Sequence, residues 1–249
     1  MQIKILVAAH KKCTMPADDI YLPIQAGAAI APSLGIIGDN TGDNISVKHD
    51  MLAELTCLYW GWKNVAADYI GLVHYRRYFA GNGTAGFPHI ADRQELEDML
   101  FKAPVILPTK RKYYVETIYS QFANAHDVRN LDMAGKVIQD KYPQYITAFE
   151  NIKKRRSGHI CNMCIMRKDY MDAYCRWLFD IIFALANRVH EPQEPRALGF
   201  VGERLLDIWL EANKVEYTER KIWSIGVESS LLKGMKMLGR KFMHRKKEW

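Results

Sequence analysis

The stretch DYIGLVHYRR, residues 68–77, decides the fold class that this sequence predicts. Its first six residues are predicted as one strand: after Asp68, residues 69–73 form an apolar run, and apolar residues at consecutive positions indicate a strand buried on both faces. The run stops at once on His74, Arg76 and Arg77. Such strands are typical of a mostly parallel sheet covered by helices, in which ligands bind at the carboxyl ends of the strands. We therefore predict an α/β fold with a ligand site at this strand end.

Similar apolar runs alternate with helical patterns along the rest of the chain. Residues 3–9, 104–107 and 160–166 are predicted as further strands. Six segments are predicted as helices: 51–64, 92–102, 131–140, 142–152, 169–189 and 202–213. Residues 18–29 contain Pro23 and Gly27, so we predict irregular structure there. The alternation predicts one α/β domain over residues 1–230, with a mostly parallel central sheet flanked by helices.

The composition is that of an ordinary globular chain with an uneven distribution of charge. Of the 249 residues, 49% are hydrophobic and 25% are charged, which suffices for a sizeable core without a metal or a disulfide. The net charge is +7. Residues 231–249 hold seven lysines and arginines against one glutamate, so they carry +6 and the remainder carries +1. A nearly neutral body therefore carries a basic tail.

The tail combines its charge with an apolar stripe. Leu231, Met235, Leu238 and Phe242 recur at helical spacing among the basic residues. A basic amphipathic helix of this kind lies on an anionic membrane surface, to which a single helix attaches reversibly. A solvated tail or a nucleic-acid arm would leave the stripe unused. We therefore predict a membrane-surface partner for residues 231–249 and no nucleic-acid partner.

The remaining features predict a cytoplasmic protein that is peripheral at the inner face of the cell membrane. The N-terminal apolar run is short, contains Lys4 and lacks a small-residue cleavage site, so it does not resemble a signal peptide. No apolar run has the length of a membrane span. The five cysteines show no disulfide framework, and the C-x2-C pair at 161 and 164 lies in an apolar stretch with no second Cys or His pair at zinc-ribbon spacing. This pattern predicts reduced and mostly buried thiols. They are Cys13, Cys57, Cys161, Cys164 and Cys175.

Basic residues follow three of the predicted strands. The sequence reads HKK at 10–12, HYRR at 74–77 and KRK at 110–112. Because parallel strands end at one edge of the sheet, these groups are expected to converge there, where arginine suits a phosphate-bearing ligand. Lysine and arginine also solubilise loop ends, and for any single cluster that interpretation is preferred. No glycine-rich dinucleotide or P-loop fingerprint follows a strand.

The stretch GDNTGDNIS, residues 38–46, concentrates short hydrogen-bonding side chains. Asn, Asp and Gly are the usual residues of turns, because Asn and Asp bond their own backbone and Gly adopts positive φ. The alternative is a site loop, in which Asp39, Asp43 and Asn44 hold sugar hydroxyls or a metal. Residue types alone leave both interpretations open.

Four further residues each have more than one interpretation. Glu203 is expected in the first turn of the predicted helix 202–213, where the dipole favours a carboxylate and where a general base could also lie. Trp60 lies off the apolar stripe of its predicted helix, so it is either a core residue or a platform for a sugar ring. His126 and His159 lie in polar clusters at the ends of elements, where they cap a helix, bind a metal or contact a ligand.

Several unusual strings resemble a known family. They are residues 38–46 (GDNTGDNIS), 54–64 (ELTCLYWGWKN) and 68–79 (DYIGLVHYRRYF), and the resemblance continues through 18–29, 105–112, 158–185 and 199–211. The chain is similar to a bacterial family of capsule and exopolysaccharide glycosyltransferases, long described as a domain of unknown function, with some members linked to galactofuranose transfer. The resemblance covers most of the chain except the basic tail. It implies a GT-A-like nucleotide-sugar fold.

The resemblance also implies a UDP-sugar donor and transfer with inversion to a growing glycan on a polyprenyl diphosphate lipid. Glu203 is then the expected catalytic base. The expected donor-binding residues are His10, Asp39, Asp43, Asn44, His74, Arg76 and Arg77. The expected acceptor-binding residues are Trp60, His126 and His159.

Metal dependence is the point at which the sequence departs from the GT-A pattern. Many enzymes of that fold end a central strand in Asp-x-Asp, which holds a divalent metal on the diphosphate. The corresponding strand here ends in HYRR, residues 74–77, and arginine can supply the same positive charge. We therefore predict no required cofactor, with Mn²⁺ or Mg²⁺ on Asp39 or Asp43 as the alternative.

Two other function classes stay open on the sequence. A non-catalytic, membrane-associated protein that binds glycans or nucleotide sugars would have the same basic strand ends but no productive base. A metal-dependent hydrolase would use His74, His126 and His159 together with the aspartates. Turnover of a UDP-sugar separates the first class from a transferase, and loss of activity with a chelator would favour the second.

Overall fold

A nine-stranded sheet forms the centre of the protein. The computed structural model describes residues 1–82, 90–189 and 193–225. Within these ranges, nine strands make the main sheet: β1 (Ile3–Ala9), β2 (Tyr21–Gln25), β3 (Ile37–Gly38), β4 (Tyr69–His74), β5 (Arg77–Phe79), β6 (Val105–Pro108), β9 (Cys164–Arg167), β10 (Thr218–Arg220) and β11 (Ile222–Ser224). A separate two-stranded sheet pairs β7 (Arg111–Lys112) with β8 (Ser157–Gly158).

Helices cover the sheet and carry much of the apolar core. The α-helices of the described part are α1 (His49–Leu52), α2 (Leu55–Asn64), α3 (Arg93–Leu100), α4 (Ile118–Ala125), α5 (Val128–Lys141), α6 (Ile146–Lys154), α7 (Lys168–Ala186) and α8 (Ala197–Ala212). α3 begins with a capping box in which Asp92 and Glu95 each accept the other's backbone N–H, which explains why this helix starts directly after Asp92.

The main sheet is mostly parallel, which confirms the predicted fold class. Its order is β10-β6-β9-β4-β1-β2-β3, and β1 pairs in parallel with both β2 and β4. β9 runs antiparallel to both of its neighbours, β4 and β6. β1, β4 and β6 therefore end at one edge, and the reversal of β9 brings the residues that precede it, 161–163, to the same edge.

The strands near the centre are buried on both faces, as predicted. Ile5 and Val7 of β1 belong to one apolar cluster, which includes Leu96 of α3. Leu6 belongs to a second cluster, which includes side chains of α2, α5, α7 and α8. A parallel strand covered on both faces needs no polar alternation, which explains the continuous apolar run at residues 3–9.

The prediction of irregular structure at 18–29 is wrong, because β2 lies within that segment. Pro23 tolerates a strand position here for a geometric reason. The N–H of Ala26 donates to the carbonyl oxygen of Ala9 over 2.8 Å, and backbone groups alternate sides along a strand. The backbone nitrogen of Pro23 therefore points away from β1, toward the side of β2 on which β3 lies. Because β3 pairs only with the last two residues of β2, the missing N–H of Pro23 removes no hydrogen bond between strands.

Two predicted helices start or break at other residues. The predicted helix 51–64 is interrupted at Ala53, whose φ is +50°, so that α1 ends before it and α2 starts after it. α8 begins at Ala197 rather than at Gly202. Glu203 consequently lies in the second turn of α8, and the dipole explanation for a first-turn carboxylate is wrong.

Two other predicted elements are shorter than expected. The predicted strand 160–166 starts only at Cys164, because Cys161 and Asn162 have φ values of +72° and +50° and form a turn. The predicted helix 142–152 becomes a 3₁₀ turn, Pro143–Tyr145, followed by α6.

The basic tail at 231–249 and the predicted domain boundary at residue 230 lie outside the described residues. Among the helices that are described, none has both the length and the apolar character needed to cross a membrane. All five cysteines are free thiols, four of them buried, as the absence of a disulfide spacing predicts.

Candidate functional site

A cavity of about 300 Å³ lies at the edge of the sheet where β4 and β6 end. Side chains from six places in the chain line it, among them His74 at the end of β4, Arg111 in β7 and Glu203 in α8. The volume lies at the lower end of the range of small-molecule sites. Its position is the one that the carboxyl ends of parallel strands favour for a ligand.

Glu203 is the carboxylate that the fold places in this cavity. Its side chain is 18% exposed. Burial raises the pKa of Glu203 to about 7, opposed by the positive charge of Arg204 and reinforced by the negative charge of Glu54. A hydrogen bond to the backbone of Cys161 and the charge of Arg77 oppose the increase as well. A carboxylate with a pKa near neutrality can take up and release a proton at working pH.

Close approach of α8 to the junction of α1 and α2 puts two carboxylates in the same cavity. A Cβ atom at Gly199 would lie 3.0 Å from the carbonyl oxygen of Leu52 and 3.2 Å from the Cβ of Ala53. Glycine at this position lets the two backbones pack closely. As a result, Glu54 and Glu203 both line the cavity.

Arginines outnumber these carboxylates. The cavity is lined by four arginines and two glutamates. The arginines are Arg77, Arg111, Arg196 and Arg204. The excess of two positive charges, before the two histidines in the lining are counted, suits a ligand that carries phosphate.

Arg204 differs from the other three arginines because it is buried, with 5% of its surface exposed. Its Nη2 donates to Oε1 of Gln121 over 3.0 Å, and its Nη1 lies 3.6 Å from Oε2 of Glu203. Nε and Nη1 have no hydrogen-bond partner among the described residues. Its positive charge therefore acts on Glu203 from beneath the cavity wall, whereas Arg77, Arg111 and Arg196 are exposed to solvent.

A hydrogen-bonded network fixes the wall opposite α8. Nδ2 of Asn162 donates to Oε1 of Glu54 over 2.8 Å and to the carbonyl oxygen of Gly199 over 3.1 Å. Nε2 of His74 lies 2.6 Å from the carbonyl oxygen of Cys161. A carbonyl oxygen only accepts, so Nε2 of His74 carries the proton. His74 is thereby held as a donor in the wall and lies 3.9 Å from Glu54.

Backbone strain concentrates at this cavity. Six non-glycine residues of the described part have positive φ, and four of them line or adjoin the cavity. These four are Ala53, Cys161, Asn162 and Arg196. Such conformations cost about 1–3 kcal/mol each and cluster at functional sites, where the surrounding packing maintains them.

A second basic group lies beside the cavity at the end of β1. The ring of His10 packs edge-on against Tyr75 at 5.2 Å, and the guanidinium of Arg76 lies 5.0 Å from the same ring. Burial lowers the pKa of His10, and the positive charges of Arg196, His49, Arg76 and Lys11 lower it further. Arg196 therefore acts on both groups, although neither His10 nor Arg76 lines the cavity.

The structure separates the two aspartates of GDNTGDNIS. Asp39 is fully buried and accepts from the backbone N–H groups of Gly27 and Ala28, both at 2.9 Å, and from the hydroxyls of Ser46 and Thr56. It fastens this loop to the turn after β2 and does not line the cavity. For Asp39 the structure therefore favours the loop interpretation.

Asp43 and Asn44 lie on the exposed part of the same loop. Asp43 accepts from the hydroxyl of Tyr59 over 3.1 Å and lies 3.7 Å from Nζ of Lys63. The side chain of Asn44 bonds the backbone of the loop itself, including the carbonyl oxygen of Gly42 at 2.9 Å. Neither residue lines the cavity.

Of the three expected acceptor residues, only His126 lines the cavity, where its ring stacks on Phe200 at 3.8 Å. Trp60 is buried in the core, and its Nε1 donates to the hydroxyl of Thr41 over 2.9 Å. The prediction that Trp60 lies off the core is therefore wrong. His159 is 1% exposed. It lies between the carboxylates of Asp207 and Glu219.

The described residues contain no group of three His, Cys, Asp or Glu side chains that could hold a metal ion. His74 and His126 share the cavity lining, but His159 is bonded elsewhere, so the three histidines of the hydrolase hypothesis do not meet. The chemistry of this cavity is that of arginines and two carboxylates.

The sequence missed several lining residues. Glu54 was hidden inside what looked like one continuous helix, and Arg204 looked like an ordinary helix residue. Arg196 lies just before α8, in a segment with no strand-end signal. The apolar spacing of Leu52, Leu55 and Leu58 continues across the junction, so the periodicity gave no sign of the break.

Comparisons with known proteins agree with this fold. A family model described as a domain of unknown function, DUF4422, matches residues 4–214. The structure titled WbbM bifunctional glycosyltransferase, in its apo form, superposes with a TM-score of 0.82 and 25% identity, over 92% of this chain and 46% of that one. This chain thus spans about half the length of that neighbour. A search of curated proteins finds no match.

Proposed function

Because the chain belongs to the DUF4422 family and shares its fold with a glycosyltransferase, we propose that it is a glycosyltransferase. It transfers a sugar from a nucleotide sugar to a hydroxyl group of a glycan. The placement of Glu203, with its pKa near 7, in a cavity lined by exposed arginines carries the proposal. A nucleotide-sugar transferase needs those two elements: a base for the acceptor and positive charge for the leaving group.

The proposed reaction is a single displacement. Glu203 takes the proton of the acceptor hydroxyl while the hydroxyl oxygen attacks the anomeric carbon of the donor sugar. The bond from that carbon to the diphosphate oxygen breaks on the opposite side, so the configuration inverts and no covalent intermediate is needed.

The proposed donor is a UDP-sugar. Its diphosphate lies against Arg77, Arg111 and Arg196, which stabilise the charge that develops on the leaving group. His10 and Arg76 lie beside these arginines and are the candidates for contact with the nucleotide. Galactofuranose is the sugar to test first, because the family resemblance of the sequence points to it.

The proposed acceptor is a growing surface polysaccharide on a polyprenyl diphosphate lipid. His126 and Phe200, stacked in the cavity wall, offer a flat surface for its terminal sugar. The basic tail at 231–249 would hold the enzyme at the inner face of the cell membrane, where that lipid is found.

We also propose that turnover needs no divalent metal. The support is the chemistry of the side chains at the end of β4. Arginines stand there in place of the Asp-x-Asp that many GT-A enzymes carry. Guanidinium groups bind phosphate oxygens directly and bring their own charge.

Thermal unfolding in the presence of nucleotides tests the donor site. UDP, UDP-galactofuranose, UDP-galactopyranose and UDP-glucose are each added with manganese or with a chelator. A ligand that binds only the native state, at a concentration of a hundred times its Kd, adds about 2.7 kcal/mol to the free energy of unfolding. We expect UDP to raise the midpoint equally with manganese and with chelator.

Two arginine variants make the test specific to the site. Arg77→Gln removes an exposed cation of the cavity, whereas Arg93→Gln removes an arginine of α3 that pairs with Asp19. The UDP-induced shift is expected to fall in Arg77→Gln and to persist in Arg93→Gln. A shift that requires manganese would contradict the metal-free donor site. No shift with any nucleotide would contradict the transferase, and a shift without turnover would favour a non-catalytic binding protein.

A further inference from the structure

The loop between β6 and α4 presents apolar side chains to solvent. Tyr114 is 79% exposed and Val115 is 82% exposed. Exposed apolar residues are common singly, but two adjacent ones at the tip of a loop beside a cavity are unusual.

Hydrogen bonds to the segment around β8 hold this loop in place. β7 pairs with β8, and the N–H of Tyr113 donates to the carbonyl oxygen of Arg156 over 2.8 Å. Nη1 of Arg156 reaches the carbonyl oxygen of Tyr114 at 3.4 Å. Tyr114 itself has φ of +53°, a left-handed conformation that costs about 1–2 kcal/mol for a side chain of this kind. The fold thus maintains a strained turn whose tip carries an exposed aromatic ring.

Side chains of this loop alternate between two faces. Arg111 and Tyr113 line the cavity. Lys112 follows Arg111 in β7 and is exposed, as expected when successive side chains of a strand point to opposite sides. Tyr114 follows in the left-handed turn and is exposed as well. One face of the loop therefore closes the cavity wall, and the other faces outward.

The outward face is positively charged. Lys112 and Arg156 are exposed and pair with no carboxylate among the described residues. The nearest acidic residue in sequence, Glu116, is engaged by Nδ2 of Asn124 over 2.7 Å. We name Lys112, Tyr114, Val115 and Arg156 the Tyr114 patch.

We propose that the Tyr114 patch docks on an anionic lipid bilayer. Tyr114 and Val115 enter the boundary between headgroups and acyl chains, and Lys112 and Arg156 lie against lipid phosphates. The aliphatic Val115 and the unpaired cations favour a membrane over a glycan, since a sugar platform uses aromatic faces and neutral hydrogen-bonding groups. Because Arg111 and Tyr113 belong to the same loop and line the cavity, docking places one wall of the cavity next to the bilayer surface.

This surface is distinct from the tail at 231–249, and it does not depend on the proposed reaction, because lipid binding is measured without turnover. The full chain is mixed with vesicles of phosphatidylcholine alone or with added phosphatidylglycerol, and the bound fraction is measured by co-sedimentation. Tyr114→Ser with Val115→Ser, in one double variant, should lower binding to the anionic vesicles about tenfold. Phe101→Ser is its control, because Phe101 is also 79% exposed but lies before β6, at the opposite end of that strand.

The charges are tested in the same way. Lys112→Glu with Arg156→Glu should weaken binding to the anionic vesicles by about thirtyfold or more relative to wild type, at about fivefold for each cation lost. Lys102→Glu, beside Phe101, is the control and should have a smaller effect. Neither variant should alter the weak binding to vesicles of phosphatidylcholine alone.

Amide hydrogen exchange of the unmodified chain gives a local readout that does not depend on variants folding. Vesicles should slow exchange in residues 109–117 and leave residues 99–103 unchanged. Absence of vesicle binding, unchanged exchange at 109–117, or equal losses in the patch and control variants would each overturn the proposal. So would unchanged vesicle binding combined with a raised KM for the glycan acceptor, which would assign the patch to the glycan.

Discussion

Glu203 carries the chemistry of the account at the scale of single residues. The same burial that raises its pKa to about 7 makes its ionised form costly in the folded protein. A folded-state pKa above the unfolded value means that the native state binds the proton more tightly. Ionised Glu203 therefore destabilises the fold, and this cost increases as pH rises from about 4 through 7.

Glu203→Gln should therefore make the protein more stable at alkaline pH while removing the base. The shift from 4.5 to about 7 corresponds to a gain of about 3 kcal/mol at pH 8 and to no gain at pH 4, where both states are protonated. Chemical denaturation at the two pH values measures it. Glu216→Gln, at an exposed glutamate, is the control and should change little. Equal stability of Glu203→Gln and wild type at pH 8 would show that Glu203 is not held in a costly ionised state.

Residue types alone indicated which side chains could act but not which ones meet. The sequence marked Glu203, His74, Arg77 and His126, and the fold brings all four to one cavity. It marked His159 with the same argument, yet that imidazole is bonded to Asp207, a partner 48 residues away. Pairing over such separations depends on tertiary packing, which residue spacing does not encode.

At the scale of elements, α8 is the part that positions Glu203, the proposed base. Asp207 lies one turn after Glu203 and accepts from the backbone N–H of His159 over 3.0 Å and from its ring. Nε2 of His159 lies 3.1 Å from Oε1 of Glu219. This chain of contacts, buried at His159 and Asp207, ties α8 to the segment before β9 and to β10. Burial raises the pKa of Asp207, but hydrogen bonds and charge from His159 outweigh it and leave that pKa lowered.

Asp207→Asn should destabilise the protein by about 3 kcal/mol at pH 7, because it removes the carboxylate charge to which the buried ring of His159 is bonded. Asp180→Asn, which breaks a surface pair with Lys141, should cost at most about 1 kcal/mol. Since a lowered folded pKa stabilises only the ionised form, the cost of Asp207→Asn should shrink as pH falls below the usual carboxylate range. Thermal unfolding at neutral and acid pH measures both variants. Equal effects of the two substitutions would contradict the structural role of Asp207.

Long apolar elements were predictable, and strained junctions were not. β1 and β4 were predictable from continuous apolar runs, because such runs are typical of strands covered by helices on both faces of the sheet. Ala53 and the turn at residues 161–162 did not, because their positive φ values are imposed by packing of α8 against its neighbours. β2 was missed because proline is unfavourable in most strands. That Pro23 lies on a side of β2 with no paired neighbour is visible only in the assembled sheet.

At the scale of the whole molecule, the direction of β9 decides what the cavity contains. An all-parallel sheet would have put residues 161–162 at the opposite edge. Reversal of this one strand adds their backbone groups to the edge where β1, β4 and β6 end. The cavity wall formed by residues 111 and 113 then continues outward as the Tyr114 patch. The proposed donor site, the proposed base and the proposed membrane contact are thus arranged around one end of the sheet.

Turnover measured across pH tests the central claim most directly. Wild type and Glu203→Gln are incubated with UDP-galactofuranose and a glycan acceptor from about pH 5 to pH 9, and UDP release and the glycan product are followed together. A base with a pKa of about 7 should give a wild-type rate that rises through neutrality to a plateau. Glu203→Gln should lose about 10²–10⁴-fold in rate while still binding UDP. Full turnover by Glu203→Gln, or no sugar transfer by the wild type from any nucleotide sugar, would contradict the account.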